Sequence, residues 1–591
     1  MDPSLDRDGS SMIRMRIDRS KSWLSRPEIR LVFLWIAPLV FLGLFYFFPL
    51  WKIINLSFAR VEDGFSTAIQ ELLTSQSIHQ VFWFTVWQAI LSTILTLVIG
   101  LPGAFLIARY QFRGKSLLLA LSGIPFVMPT LIVAAAFNAL LGPQGWINLI
   151  LMDLFDLSTP PLQFTHTIYA ILIAHVFYNT TIVLRMVGDF WSHLDPRLTQ
   201  AARTLGANRW LTFKSISFPL LIPPIAAASL LIFIFNFTSF GVILILGGPR
   251  FATLEVEIYY QTISLFNMPL AATLALIQLF CTLGITIIYT RLTSRLSGPL
   301  RLQSRQYTQE RLTSWRDRIF ATIMISFLIL LLVTPLVALA VRSITSVDIG
   351  RVQVGDPPSG ITLDYYRELS KNRQSSLFYV PPTTAIAISL GYAMATVILA
   401  IGLGFPAAWA LTRYRQARIN RLLDPILMLP IGTSAVTLGL GFIVALNRPP
   451  LDLRASPWLI PIAHTLVAFP FVVRSLTPAL QSIQPRLHQA AAMLGASPGS
   501  IVRHIDLPLV GRAVLVAATF AFAISLGEFG ATALIARPEY PTVPLVIYRY
   551  LSLPGNLNYG QALALSTILM GVCAAGILTI ERFRIGGIGE F

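Results

Sequence analysis

The chain has 591 residues, of which 55% are hydrophobic and 12% are charged, and this composition excludes an ordinary soluble protein. Its formal net charge of +17 would suit a nucleic-acid-binding protein, but the basic residues concentrate in alternate loops between apolar segments. That asymmetry predicts that both termini are cytoplasmic, and it leaves the basic residues to orient the chain and contact membrane lipid. We therefore expect no nucleic-acid partner.

Apolar runs of about 20 residues cross a bilayer as helices, and they recur along the whole chain. The sequence predicts an all-α polytopic membrane protein with roughly twelve transmembrane helices. We expect these spans near 31–51, 81–108, 117–141, 164–187, 217–246, 269–290, 319–341, 384–410, 422–446, 456–479, 510–535 and 560–580.

The two halves of the chain repeat one another. The stretch QAARTLGA at Gln200–Ala207 returns as QAAAMLGA at Gln489–Ala496, and the same spacing separates Pro219 from Pro508. Because each copy carries six spans, the halves share one orientation and form parallel repeats. The expected organisation is a tail at 1–30, a repeat at 31–290, a linker at 291–318, a repeat at 319–580 and a tail at 581–591.

The repeated polar stretch lies in loops near 188–219 and 480–508. In the first copy, Asp195 and Pro196 are typical of a helix start, and Gly206 is suited to the left-handed conformation that ends a helix. Pro219 limits the segment that follows. We expect two short helices with a sharp bend, lying along the membrane face.

These loops resemble the Glu-Ala-Ala (EAA) loop in the permeases of binding-protein-dependent ABC importers. The matching residues are Gln200, Ala201, Ala202, Gly206 and Pro219 in the first copy, and Gln489, Ala490, Ala491, Gly495 and Pro508 in the second. The resemblance implies a type I importer fold in the plasma membrane of a bacterium. It also implies that each loop forms a coupling helix docked on a cytoplasmic ABC ATPase subunit, that there are two such subunits, and that a solute-binding protein delivers the cargo from outside. Both copies carry Gln in place of Glu, which removes a charge from the docking position.

Twelve spans with two such loops resemble the fused permeases of ferric-iron and thiamine importers. In the first half, GPQGW, AHVFYN and TLEVEIYYQ are similar to the thiamine type; in the second half, SLGEFGA is also similar to molybdate and sulfate permeases. The resemblance leaves ferric iron, thiamine, molybdate, sulfate and polyamines open as cargo.

Polar residues inside spans often mark a pathway. Glu528 and Ser525 lie in the eleventh predicted span, and Ser239 and Asn236 lie in the corresponding part of the fifth. A carboxylate there would attract a cationic solute; the alternative is a structural carboxylate satisfied by a neighbouring span.

No residues are expected to act as catalysts, metal ligands or cofactor ligands. His175 and His464 occupy equivalent positions and are interpreted as hydrogen-bonding partners between helices. Gly114-Lys115-Ser116 ends like a phosphate-binding loop but lacks its earlier glycine and its strand. ATP hydrolysis is therefore assigned to a separate partner.

Two other classes remain as alternatives. A secondary transporter also has two parallel six-span halves, but the loop after the second span, Arg109–Ser116, lacks the acidic and repeated Gly/Arg pattern of the major facilitators. An intramembrane enzyme would need a converged set of catalytic side chains, whereas the polar groups here are scattered.

Overall fold

The computed structural model describes residues 27–58, 75–248, 250–296, 309–345, 360–371, 380–413, 418–447, 449 and 452–583. Within this part of the chain, 11 helices are long and apolar enough to cross a membrane, or up to 12 when one bent pair is counted as a span. The predicted class, an all-α polytopic membrane protein, is confirmed. Most of the N-terminal tail, the middle of the linker and the end of the C-terminal tail lie outside the described residues.

The first half contains eleven helices and one two-residue strand. They are α1 (Leu34–Phe58), α2 (Gln76–Arg109), β1 (Tyr110–Gln111), α3 (Lys115–Val127), α4 (Thr130–Leu141), α5 (Trp146–Phe155), α6 (Ile168–Ser192), α7 (Pro196–Thr204), α8 (Trp210–Phe237), α9 (Gly241–Leu246), α10 (Leu254–Ile263) and α11 (Met268–Leu292).

After strand β2, the described part of the second half has the same order of spans, with an added short helix at Asp364–Glu368 and without a counterpart of α5. Its elements are β2 (Glu310–Arg311), α12 (Trp315–Arg342), α13 (Asp364–Glu368), α14 (Pro382–Thr412), α15 (Leu422–Gly432), α16 (Ala435–Ala445), α17 (Leu459–Gln481), α18 (Pro485–Met493), α19 (Gly499–Gly527), α20 (Gly530–Ile535), α21 (Val543–Ser552) and α22 (Asn556–Thr579).

Four predicted spans are interrupted in the structure: 117–141, 217–246, 422–446 and 510–535. The third span of each repeat breaks between α3 and α4 and between α15 and α16, where the bend is 96°. The fifth breaks after α8 and α19. At the second-half break, the Ser434 hydroxyl accepts from the backbone N–H groups of Val436 and Thr437, so it caps the helix that resumes there. Hydropathy alone does not reveal such a break, because both pieces remain apolar.

The first helix of each repeat packs on the opposite repeat. Helix α1 lies against α16, and α12 lies against α4. The Tyr46 hydroxyl of α1 hydrogen bonds to that of Thr433 beside α16, at 2.7 Å. Gly441 of α16 permits the close approach of the two helices, since an added Cβ would lie 3.0 Å from Cβ of Pro49. The two halves are therefore interlocked.

Within each repeat, the second and fourth spans approach closely at one glycine. A Cβ on Gly100 would lie 2.7 Å from Cβ of Val183, and a Cβ on Gly404 would lie 2.7 Å from Cγ1 of Val472. These pairs occupy matching positions in the two copies. A glycine at such a position lets two helix backbones approach closely, as is typical of helix packing in membranes.

Part of the expected linker is attached to the first repeat. Strands β1 and β2 pair in parallel, Tyr110 opposite Glu310 and Gln111 opposite Arg311. The Arg109 guanidinium lies 3.1 Å from the Glu310 carboxylate, and both side chains are partly exposed. An exposed pair of this kind contributes little stability.

Candidate functional site

The first EAA-like loop forms a short helix with defined ends. Helix α7 begins where the Asp195 carboxylate accepts from the backbone N–H of Arg197 at 2.9 Å. It ends at Gly206, whose φ is 90°, and the N–H of Ala207 donates back to the carbonyl of Ala202 at 3.0 Å. This bond belongs to a Schellman-type end, which requires a residue that tolerates positive φ. The predicted helix start and glycine-hinged end are confirmed.

The second loop has the same end but a different start. Gly495 has a φ of 80°, and the N–H of Ala496 donates to the carbonyl of Ala491 at 3.0 Å. At the start of α18, however, Gln484 replaces the aspartate and makes no side-chain cap.

The predicted second short helix was wrong. That segment is the beginning of the long helix α8 or α19, which continues into the membrane. Pro219 and Pro508 lie inside these continuous helices, directly after wide turns at Phe213–Ser217 and Val502–Asp506. The wider turn leaves room for the proline ring, and no carbonyl in it depends on the N–H that proline lacks. The helix therefore continues through a residue that ordinarily ends it.

Both short helices present polar and apolar side chains to the surface. Gln200, Ala201, Gln489 and Ala490 are exposed, whereas Ala202 and Ala491 are partly buried. Large apolar side chains at the hinges are more exposed than is usual for their type: Leu205 (88%), Leu494 (89%), Met493 (90%) and Trp210 (70%). We call the exposed faces of α7 and α18, together with these four side chains, the coupling surfaces. Apolar groups beside polar ones are typical of a protein interface, and Leu205 and Leu494 occupy matching sites in the two repeats.

The two coupling surfaces are fastened differently. In the second repeat, Nε2 of His488 lies 2.5 Å from the carboxylate of Asp506, a buried residue on the wide turn of α19. Thr199 and Ser217 occupy the equivalent positions in the first repeat. There the Thr199 hydroxyl donates to the Pro196 carbonyl within its own helix. Only the second of these two helices thus has this side-chain tie to its long helix.

His175 connects three parts of the first repeat. Its Nδ1 lies 2.9 Å from the Ser92 hydroxyl on α2, and its Nε2 lies 3.0 Å from the Ser239 hydroxyl at the break after α8. Nearby, Asn179 donates to the side-chain oxygen of Asn236 at 2.7 Å. The interpretation of the histidine as a bond between helices is confirmed.

His464 occupies the equivalent position in the second repeat but bonds to different partners. Its Nδ1 lies 2.8 Å from the Ser525 hydroxyl and its Nε2 lies 2.9 Å from that of Thr532. Ser525 in turn donates to Thr396, the counterpart of the Ser92 position. The predicted pathway residues are therefore brought together in two groups, Asn236 with Ser239 and Ser525 with Glu528, one around each histidine.

The Glu528 carboxylate is buried and fully engaged in this conformation. It accepts from the backbone N–H of Ala531 at 2.9 Å and of Thr532 at 3.2 Å, and from the Thr532 hydroxyl at 2.9 Å. Nε2 of His464 lies 3.4 Å away. These contacts satisfy the free N–H groups at the start of α20. They favour the structural interpretation of this carboxylate in this conformation, while a role in the pathway stays a prediction.

Sequence reasoning missed a second buried carboxylate, that of Glu255 on α10. It accepts from the Ser434 hydroxyl of the other repeat and from Nε2 of Gln278, both at 2.6 Å. Glu255 is 1% exposed. The repeat gave no signal for it, because the counterpart of Glu255 in the second half is Pro544.

The family model for the inner membrane component of binding-protein-dependent transport systems matches residues 97–298 and 400–585. The chain belongs to this family and is a fused, two-repeat permease of a binding-protein-dependent ABC importer. It is thus a transport subunit and a multi-pass membrane protein.

Individual relatives give a more specific comparison than the family model does. The chain is 28% identical to the thiamine transport system permease protein of Escherichia coli, over 84% of this chain and 88% of the relative. It is 29% identical to the thiamine transport system permease protein of Brucella abortus, over 84% and 86%. A probable ABC transporter permease protein of Sinorhizobium fredii is 25% identical, over 88% and 91%.

The tie between His488 and Asp506 predicts unequal rigidity of the two short helices. Replacing His488 with Ala removes a hydrogen bond to a buried carboxylate, a contribution of about 1.5–3 kcal/mol. We expect amide hydrogen exchange in α18 to become about tenfold faster or more. The matched control is Thr199→Ala, which should change exchange in α7 much less. Equal acceleration in both helices would contradict the proposed tie.

Proposed function

We propose that this permease moves its cargo by ATP-driven alternating access, with the coupling surfaces of α7 and α18 each docked on one ABC ATPase subunit. The observation that carries the proposal is the pair of short, exposed, glycine-ended helices at matching positions of the two repeats. Each is covalently continuous, through a single bend, with a helix that enters the membrane. A displacement of the short helix is thereby passed directly to α8 or α19.

The cargo we propose is thiamine, delivered by a solute-binding protein on the outer side. Support comes from the Escherichia coli and Brucella abortus relatives, which are thiamine transport permeases and whose similarity covers most of this chain. The sequence motifs of the first half point the same way. Ferric iron, molybdate, sulfate and polyamines have no comparable support among these relatives.

The proposed organisation follows the repeats. We assign 31–290 and 319–580 to the two permease repeats, 291–318 to a cytoplasmic linker, and 1–30 and 581–591 to cytoplasmic tails. The same orientation places both coupling surfaces in the cytoplasm, so one chain engages two ATPase subunits. The basic loops support this orientation through the positive-inside rule.

Transport needs an interface with two alternative arrangements that both partners bias. The broken third and fifth spans are suited to switching between two arrangements, because the short helices that follow their breaks are held by a few side-chain hydrogen bonds. The loaded binding protein and the ATP-bound ATPase would then favour the same rearrangement from opposite faces of the membrane.

The first test is uptake by the complete complex in proteoliposomes. With the permease, its ATPase and its binding protein, thiamine uptake should require ATP and should persist when ion gradients are dissipated. A catalytically inactive ATPase provides the control. Uptake that continues without ATP but stops when the gradients collapse would instead identify a secondary transporter.

The hinge of α18 can be tested with a matched pair of glycines. Gly495 has a positive φ and Gly499 does not, while an added Cβ meets nothing within 4 Å at either position. Gly495→Val should cost about 1–2 kcal/mol in backbone strain and misdirect the short helix. We expect thiamine uptake to fall at least about fivefold, with normal membrane insertion. Gly499→Val is the control; an equal loss in both variants would argue against the hinge.

The coupling surfaces can be tested through ATPase binding. Replacing Leu205 and Leu494 together with Ser should raise the dissociation constant of the ATPase about tenfold or more, because buried apolar anchors dominate interface energies. Binding can be measured with the permease in nanodiscs. Replacing Gln200 and Gln489 with Ala should weaken binding less, since neither glutamine forms a charge pair. The reverse order would show that the polar position determines docking.

A further inference from the structure

Two phenylalanines from opposite repeats stack on each other at the centre of the molecule. The rings of Phe240 and Phe529 have centroids 5.4 Å apart and planes inclined by 22°. Both side chains are buried. They occupy equivalent positions in the two repeats, so the contact lies where the internal two-fold relation brings one repeat onto the other.

A tyrosine of the same repeat packs on each of these rings. Tyr259 of α10 lies 5.4 Å from Phe240, and Tyr548 of α21 lies 5.5 Å from Phe529, measured between ring centroids. These tyrosines are also equivalent in the repeat. We call Tyr259, Phe240, Phe529 and Tyr548 the aromatic quartet; its rings form one cluster that joins the two halves.

The ends of the broken spans meet at the aromatic quartet. A Cβ added to Gly241 would lie 2.4 Å from the Thr130 hydroxyl, at the start of α4, and 3.4 Å from the ring of Phe529. On the other side, a Cβ on Gly527 would lie 3.2 Å from Pro129 of the opposite repeat. Within membrane proteins, interrupted helices are tolerated where they are buried in protein or line a cavity, and transporters bind their substrates at such interruptions.

Two buried carboxylates accompany the quartet, one from each half. Glu528 directly precedes Phe529, and Glu255 lies one helical turn before Tyr259 on α10. Buried acidic groups beside aromatic faces would attract a cation, because ring faces carry negative partial charge.

We propose that the stacked pair of Phe240 and Phe529 is the gate of the translocation pathway, and that the aromatic quartet, once the halves part, forms a transient site for an organic cation that carries an aromatic ring. Separating one stacked pair of rings costs little free energy. An aromatic ring entering between the two phenylalanines regains stacking on both faces, while its positive charge is attracted by the Glu528 carboxylate. The substrate class named here rests on the proposed function, since thiamine is an aromatic cation; the gate does not.

The test uses the complete complex in proteoliposomes and the double variant Phe240→Leu/Phe529→Leu, which keeps apolar bulk but removes both ring faces. Three quantities are measured: ATP hydrolysis stimulated by loaded binding protein, thiamine imported per ATP, and leak of preloaded choline without ATP. We expect stimulated hydrolysis within twofold of wild type, import per ATP at least fivefold lower, and choline leak at least threefold higher.

Two further variants separate ring chemistry from packing. Phe240→Tyr/Phe529→Tyr keeps both aromatic faces and should import thiamine within about twofold of wild type. Phe237→Leu replaces a buried, stacked phenylalanine on α8 whose counterpart is Leu526, and it should behave like wild type. If the double leucine variant does not assemble, the two single leucine variants are measured in the same way and decide the matter.

Each outcome has a distinct meaning. Unchanged import and no choline leak in the leucine variants would overturn the gate. Tyrosine variants as impaired as the leucine variants would overturn the aromatic site while leaving the gate. A wild-type complex that imports no thiamine would reject the proposed function and the substrate class with it, whereas the choline leak would still decide whether the phenylalanine pair closes the pathway.

Discussion

The constraint on which this structure depends is that a helix broken inside a bilayer must still satisfy its backbone and hold its pieces in place. In each repeat a histidine helps to hold the pieces in place. His175 bonds hydroxyl groups of the second span and of the break after the fifth, whereas His464 bonds Ser525 and Thr532 on either side of that break and reaches the second span through Ser525 and Thr396. Removing either imidazole would take one hydrogen bond from each of two buried hydroxyl groups, which is unfavourable in a membrane interior.

The two repeats keep this framework but have diverged at the residues around it. Where the second half has Glu528 capping a short helix, the first has Ser239 bonded to the histidine. Where the second has His488 tied to Asp506, the first has a capping aspartate at the start of its short helix. A fused chain allows such differences, since residues in one half can change without a matching change in the other. The interlocked first helices keep the halves together.

Local rules read from the sequence were reliable where a short-range interaction decides the structure. The start of α7 at Asp195, its end at Gly206 and the repeated end at Gly495 depend on contacts within a few residues, so the pattern is sufficient to predict them. The continuation through Pro219 was missed because the wide turn that accommodates a proline has no strong sequence signature. The breaks in four spans were missed because hydropathy averages over them.

The sequence by itself determined the class of protein, the two-fold repeat and the two glycine-ended helices, because composition, periodicity and backbone preference act locally. Only the tertiary structure decided which polar groups meet. The partnership of Glu255 with Ser434, the engagement of Glu528 by its own helix start and the stacking of Phe240 on Phe529 all join distant segments or depend on how the spans break. Contacts of this kind follow from how two six-helix units pack on each other, which no local pattern encodes.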